Sequence, residues 1–396
     1  MDSITNPYSP GAGSTPPELA GRDALREQLR IAIARIRQGR PAKSVLLVGL
    51  RGVGKTVLLE QIRRDAEASG IYTVRMEAPE NKSLPALLAP QLRQVLLRLS
   101  REHAAIETAK RALRALAGFA RGLKLRYKDI EVGLDYEPEA GLADNGDLEL
   151  DLGSLLEQVA MAAAAGQTAV VVFIDELQYV KEEQLAALIS ALHRCAQNAL
   201  PITVVGAGLP QLRGMAGKAK SYAERLFDFP MIGALNDTEA ERAIVKPARD
   251  EGVDYAREAV TAIIAKTKGY PYFLQEWGKH AWDTADRSPI TEADVEAASV
   301  AAIAALDESF FRVRFDRLTP TEKTYLRAMS DIGSGPHRSG DIAERLRRSV
   351  SSLGPVRSAL IVKGMIWSPN HGDTAFTVPL FDEFMIRIMP GNEWET

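Results

Sequence analysis

The stretch Ser44-Val45-Leu46-Leu47-Val48-Gly49-Leu50-Arg51-Gly52-Val53-Gly54-Lys55-Thr56 constrains this chain more than any other. An apolar run of strand length ends in closely spaced glycines, and a lysine and a threonine follow at once. In the pattern G-x-x-x-x-G-K-[ST] the glycines let the backbone curl with its N–H groups turned inward. The helix that begins near Lys55 points its positive end at the same place. Such a loop suits phosphate. The segment Gly49, Leu50, Arg51, Gly52, Val53, Gly54, Lys55, Thr56 and Val57 is therefore the predicted phosphate-binding element for ATP, with Lys55 reaching the β- and γ-phosphates and the Thr56 hydroxyl holding Mg²⁺.

A second stretch completes the chemistry. Ala169-Val170-Val171-Val172-Phe173-Ile174 is an unbroken apolar run of the kind buried on both faces of a parallel sheet, and it ends in Asp175-Glu176. The C-terminal ends of strands are where open α/β sheets bind ligands. Asp175 is thus predicted to hold the Mg²⁺ water shell and Glu176 to orient and activate the attacking water.

Composition narrows the setting. With 396 residues the chain is expected to form two or three domains, and a net charge of −3 offers no global attraction for nucleic acid. The single cysteine, Cys195, excludes an internal disulfide and fits a reducing, cytoplasmic location. Residues 1–21 are rich in Pro, Gly and Ser and lack the apolar centre of a secretory signal. The longest apolar run, from Val159 to Ile174, is interrupted at Gly166-Gln167, so no membrane span is expected.

Periodicity divides the chain into an arm (1–17), a P-loop domain (18–235) with an insertion at about 100–153, a helical lid (236–310) and a C-terminal module (311–396). The expected fold class is α/β, a five-stranded parallel αβα sheet, followed by an all-α lid. Strands are predicted at Ser44–Val48, Ile71–Met76, Ala169–Ile174, Pro201–Gly206 and Leu226–Phe229. Within the insertion a basic helix (Lys110, Arg111, Arg114, Arg121) precedes two alternating runs, 123–128 and 130–135, that read as short strands, and then an acidic run from Glu137 to Asp151. The basic and acidic pieces either neutralise each other or bind a partner. Three predicted helices (320–329, 339–347, 353–363) and a hairpin around Asn370-His371-Gly372-Asp373 make a winged helix-turn-helix module.

With these motifs in place, the chain from Leu19 to about Met389 resembles the AAA+ and STAND ATPases, most closely the branch of origin-recognition-type initiators and archaeal-type ATPases. Residues 49–56 match Walker A and 171–176 match Walker B. The resemblance implies that Gly21 and Arg22, in Leu19-Ala20-Gly21-Arg22-Asp23, lie beside the adenine. It further implies that Pro271, in Gly269-Tyr270-Pro271, packs near the nucleotide as in STAND lids, unless that stretch is an ordinary helix break. Arg225 stands where such proteins carry an arginine finger for the neighbouring subunit's γ-phosphate, which implies assembly with ATP; the other reading is a plain surface arginine. Two departures favour a slow nucleotide switch over a fast ring motor. Val205-Gly206-Ala207-Gly208 ends the fourth strand without a polar sensor residue, and Gly-Tyr-Pro replaces the lid's sensor arginine. The rival readings are a DNA-binding regulator that scarcely hydrolyses ATP and an autoinhibited signalling scaffold. For DNA, Arg347, Arg348, Arg357 and Lys363 are the candidate contacts, yet residues 312–396 carry only twelve Lys and Arg against ten Asp and Glu.

Overall fold

The computed structural model describes the chain apart from residues 12, 79–81, 125, 131–135, 392–393 and 395–396. The chain forms two compact units: residues 22–48 with 55–231, and residues 1–21 with 49–54 and 232–396.

The first unit is the sheet. Strands β1 (Ser44–Gly49), β2 (Tyr72–Glu77), β3 (Val170–Asp175), β4 (Ile202–Gly208) and β5 (Phe227–Asp228) run in the order β2-β3-β4-β1-β5, all parallel, and a two-residue β6 (Met231–Ile232) joins off this path. Every residue of β1, β3 and β4 is buried, as their apolar composition requires. Around the sheet lie α1 (Asp23–Arg37), α2 (Lys55–Ala68), α3 (Leu84–Leu99), α4 (Ile106–Leu123), α5 (Leu148–Ala165), α6 (Glu182–Gln197), α7 (Leu212–Ala219) and α8 (Ala223–Leu226). In α1 the buried residues Leu29, Ile33 and Ile36 recur at helical spacing, whereas Ile31 is exposed.

The insertion differs from expectation. No strand forms over 126–130: Arg126 and Tyr127 both turn back onto the Leu123 carbonyl, and Tyr127 and Ile130 enter the core from turns. Leu125 and 131–135 lie outside the described residues. Helix α5 begins at Leu148, inside the acidic run, because Asp147 caps it by accepting from Leu150 N at 2.9 Å, and Glu149 and Asp151 suit the positive end of the helix. The basic face of α4 and the acidic run pair with each other, Arg111 and Arg114 on Glu139 and Arg121 on Glu137, each at 3.2 to 3.3 Å. These are exposed pairs, worth well under about 1 kcal/mol apiece.

The second unit is helical and shares one apolar core, which runs from Tyr8 and Ala20 through the lid residues to Met385. Its helices are α9 (Asp237–Asp250), α10 (Arg257–Thr267), α11 (Pro271–Thr284), α12 (Glu292–Ala305), α13 (Arg312–Phe315), α14 (Pro320–Ile332), α15 (Ser339–Arg345), α16 (Val350–Val362) and α17 (Phe381–Ile388). The predicted boundary at 310 falls inside a continuous helical run, since α12 passes through a π-helical turn, Leu306–Phe311, into α13. Strands β7 (His337–Arg338), β8 (Ile366–Trp367) and β9 (Asp373–Phe376) form a small antiparallel sheet in the order β7-β9-β8. Helix α17 has no counterpart in the sequence reading.

The N-terminal arm is strapped along α11. Trp282 Nε1 donates to the Asp2 carbonyl at 2.9 Å, Asn6 Nδ2 donates to the Lys279 carbonyl at 3.0 Å and to Asp283 at 2.9 Å, and the buried Tyr8 hydroxyl donates to the Ile244 carbonyl. Gly278 makes room for the Tyr8 ring, because a Cβ there would stand 2.7 to 2.9 Å from three of its atoms. Ala normally stabilises a helix interior by about 1 kcal/mol relative to Gly. Gly278→Ala is instead expected to destabilise by about 1 to 3 kcal/mol through overpacking, and Tyr8→Ala by about 3 kcal/mol through the cavity it leaves. In the Tyr8→Ala background, Gly278→Ala should become neutral or stabilising. Additive losses in a thermal-melt cycle would show that the two positions do not pack together.

Candidate nucleotide site

Parallel register brings the strand ends to one edge. Val48 lies opposite Gly208 and Ile174 opposite Gly206, so β1, β3 and β4 finish together. From this edge β3 presents Asp175, and α2 starts with Lys55 and Thr56. Asp175 accepts from the Thr56 hydroxyl at 2.6 Å through one carboxylate oxygen and from Glu176 N at 2.8 Å through the other. Burial pushes the Asp175 carboxyl above its ordinary range, opposed by those two hydrogen bonds and by the charge of Lys55. Lys55 is itself buried.

The pair of hard oxygens from Thr56 and Asp175 fits Mg²⁺, which takes oxygen ligands and commonly pairs one or two protein groups with phosphate and water. Among the described residues no cluster of three or more His, Cys, Asp or Glu could hold a metal on its own.

Glu176 has a left-handed backbone, φ 52° and ψ 38°, uncommon for a residue other than glycine and typical of functional sites. Its carboxylate accepts from Gln178 Nε2, while Gln178 Oε1 accepts from Leu209 N at 3.0 Å, just past β4. Gln178 has no place among the predicted site residues. Its one visible signal is the spacing D-E-x-Q, and its meaning depends on Gly208, where a Cβ would lie 2.7 Å from Gln178 Oε1.

The phosphate-loop residues 49–54 connect β1 to α2 along the chain and pack within the second unit. Gly52 and Gly54 take positive φ, 79° and 86°, which allows the predicted curl. Gly49 leaves no room for a side chain, since a Cβ would strike the Ile232 carbonyl. Arg51 N donates to the Thr377 carbonyl at 3.0 Å, and the Gly52 carbonyl accepts from Tyr272 N at 3.2 Å. Thr377 is fully buried and anchored by its own hydroxyl on Met365 O at 3.0 Å. Tyr272 stacks on Phe310, ring centroids 4.7 Å apart. Pro271, the first residue of α11, is thus adjacent to a direct loop contact. Val53 is buried, Leu50 and Val57 are half-buried, and a Cβ on Gly21 would meet the Glu239 carboxylate at 2.5 to 2.8 Å. Arg22 immediately precedes α1, where its carbonyl accepts from Arg26 N.

Arg225 is not gathered with these groups. It is exposed on α8, just before β5, whose Phe227 pairs with Ser44, the first residue of β1. That is the opposite edge of the sheet, about 17 Å away along a six-residue strand. A separate cavity of about 550 Å³ also opens at that edge, lined by Arg26, Arg30 and Arg37. All three are committed, Arg26 to Asp65, Arg30 to Glu27 at 2.7 Å, and Arg37 to the carbonyls of Ser69 and Gln167.

Comparison with known proteins gives the same fold. The family described as "AAA ATPase domain" matches residues 18–205. The chain carries an AAA-type P-loop ATPase domain. Residues 308–385 match a family described only as a domain of unknown function. Among solved structures, a Walker-type ATPase of Pyrococcus abyssi is similar at a TM-score of 0.57 and 14% identity, covering 93% of this chain and 96% of that one. The ORC1 protein of Aeropyrum pernix, solved with DNA, aligns at 0.48 and 15% identity over 95% and 94%, and a Thermotoga maritima RuvB mutant at 0.44 and 16% over 90% and 92%. No curated protein matches the chain. Among the described residues no helix is long and apolar enough to cross a membrane.

Proposed function

We propose that this chain is a nucleotide-dependent switch that binds ATP with Mg²⁺ and hydrolyses it slowly. The observation that carries this reading is the arrangement of Thr56, Asp175 and Glu176, with two oxygens suited to Mg²⁺ at 2.6 Å and a carboxylate on a left-handed residue beside them. Thr56 and Asp175 would hold the cation, which supplies charge neutralisation on the phosphates. Lys55 binds the β- and γ-phosphates, and the main chain of 49–54 cradles them. Glu176 orients a water for in-line attack and takes its proton as the new P–O bond forms. The bond to the β-phosphate oxygen breaks, and ADP leaves with the electron pair. Gly21 and Arg22 are proposed to border the adenine, and Pro271 to pack near the nucleotide. Arg225 is proposed to act on the γ-phosphate of a neighbouring copy, since its own site is at the far edge of its sheet.

The switch component is supported by the contacts of residues 51 and 52 with Thr377 and Tyr272, through which a loop that moves with the nucleotide would move the lid and the C-terminal module. We read that module as a winged helix. Its proposed DNA contact is weakened because Arg357 donates to Thr374 Oγ1 and the Asp373 carbonyl at 2.8 and 2.9 Å, and Lys363 to Glu322 at 2.7 Å. Only Arg347 and Arg348 of the four stand exposed. Phosphate release from ATP tests the reading. A slow turnover, abolished by chelating Mg²⁺ and restored by adding it back, is the expected result. Tight ATP binding without any release would favour the regulator that scarcely hydrolyses ATP.

A further inference from the structure

Strand β4 ends in Val205-Gly206-Ala207-Gly208 with no polar side chain to meet the nucleotide edge. The structure supplies a polar group there from another element. Gln178, on the short 3-10 turn Leu177–Tyr179 that follows Glu176, is buried and hydrogen-bonded at both ends of its amide. Leu209 N can only donate and the Glu176 carboxylate only accept, so the amide orientation is fixed by chemistry: oxygen to Leu209, nitrogen to Glu176. Its neighbour Leu177 is buried in the core, and Leu212 closes the other side. A Cβ at Gly208 would sit 2.7 Å from Gln178 Oε1 and 2.8 Å from Leu212 Cδ2, so only glycine leaves the seat open.

We propose that Gln178 is the positioning residue for Glu176, fixing the carboxylate against the end of β4 so that its reach toward the attacking water is set before the nucleotide arrives. This rests on the reading of Glu176 as the group that activates water. The consequence for sequence is that a polar residue at the end of β4 is replaced by a glycine there and a glutamine two positions after Glu176. A carboxylate on a strained left-handed residue otherwise has several rotamers to sample, and restricting them contributes to rate through preorganisation.

Three variants test it. Gln178→Met keeps the length and loses both hydrogen bonds; Gln178→Asn keeps the polarity but is too short to span both partners; Gly208→Ala adds a methyl where the glutamine oxygen sits. Each should lower the single-turnover rate about ten- to a hundredfold with ATP affinity within about twofold of the parent. In a Glu176→Gln background, Gln178→Met should lower the residual rate no further, because the residue acts only through the carboxylate. A structural role would instead lower affinity and rate together, or subtract again in the double variant. Either result overturns the proposal, as does an unchanged rate in Gln178→Met. If one variant fails to fold, the other two are read in the same way. Parent and Glu176→Gln proteins with the same rate would overturn the hydrolysis reading and this inference with it. An active parent, an inactive Glu176→Gln and an active Gln178→Met would overturn the inference alone.

Discussion

Lys55→Ala is expected to weaken ATP binding about a hundredfold while leaving the fold as stable as before, or more so. A hydrogen bond to a charged group is worth about 1.5 to 3 kcal/mol, and 1.4 kcal/mol is a tenfold change in affinity. Stability responds the other way. Lys55 is a buried cation at the first residue of α2, the positive end of the helix dipole, where a positive charge is unfavourable without an anion beside it. Asp175 offsets part of that cost in the free protein, since the charge of Lys55 is among the influences that hold the Asp175 carboxyl down. Removing the ammonium removes both terms, so melting temperature should scarcely fall. Calorimetry of ATP binding, read beside a thermal melt, decides the matter. Near-parent affinity would sink the phosphate-loop assignment, whereas a large drop in melting temperature would make Lys55 a structural residue.

The parts legible from sequence were those where local chemistry and global fold demand the same residues. A strand buried on both faces has to be apolar throughout, so Val170–Asp175 was visible without tertiary information. The phosphate loop needs glycine at particular places, and Gly52 and Gly54 do take the positive φ that explains them. Short alternating runs carried less. Residues 123–130 alternate like a strand, but Leu123 is the last turn of α4, and Tyr127 and Ile130 reach the core from turns that happen to space them similarly. The acidic run hid a helix start because Asp is a weak helix former in a helix interior, yet Asp and Glu are favoured in a first turn, which is where Glu149 and Asp151 stand. Asp151 is also fully buried, satisfied by Asn145 N, Asn145 Nδ2 and Gly146 N at 2.9 to 3.0 Å, and nothing local announces that. Gln178 was out of reach for the same reason: its partners Leu209 and Gly208 lie about thirty residues on, and only the fold brings them together.

Glu176→Gln should keep ATP bound and lose turnover by about a hundredfold or more, the loss of a positioned base. The carboxamide has the same shape and can still accept from Gln178, so neither the left-handed backbone nor the melting temperature should change appreciably. Single-turnover hydrolysis alongside calorimetry measures both halves of this statement. If turnover survives, another group orients the water. The same variant reports on Arg225. Because Arg225 is exposed at the edge of the sheet where β5 pairs with the first residue of β1, it can serve the γ-phosphate only in a second copy of the chain. Arg225→Ala subunits retain Glu176, and Glu176→Gln subunits retain Arg225, so a contact between the two restores one complete set of groups. Mixed in equal amounts with ATP, they should hydrolyse faster than the mean of the separate proteins. A plain surface arginine gives a different pattern: Arg225→Ala is fully active by itself, and the mixture equals the mean. That pattern would leave hydrolysis to groups within one chain, since Lys55, Thr56, Asp175 and Glu176 gather at a single edge without Arg225.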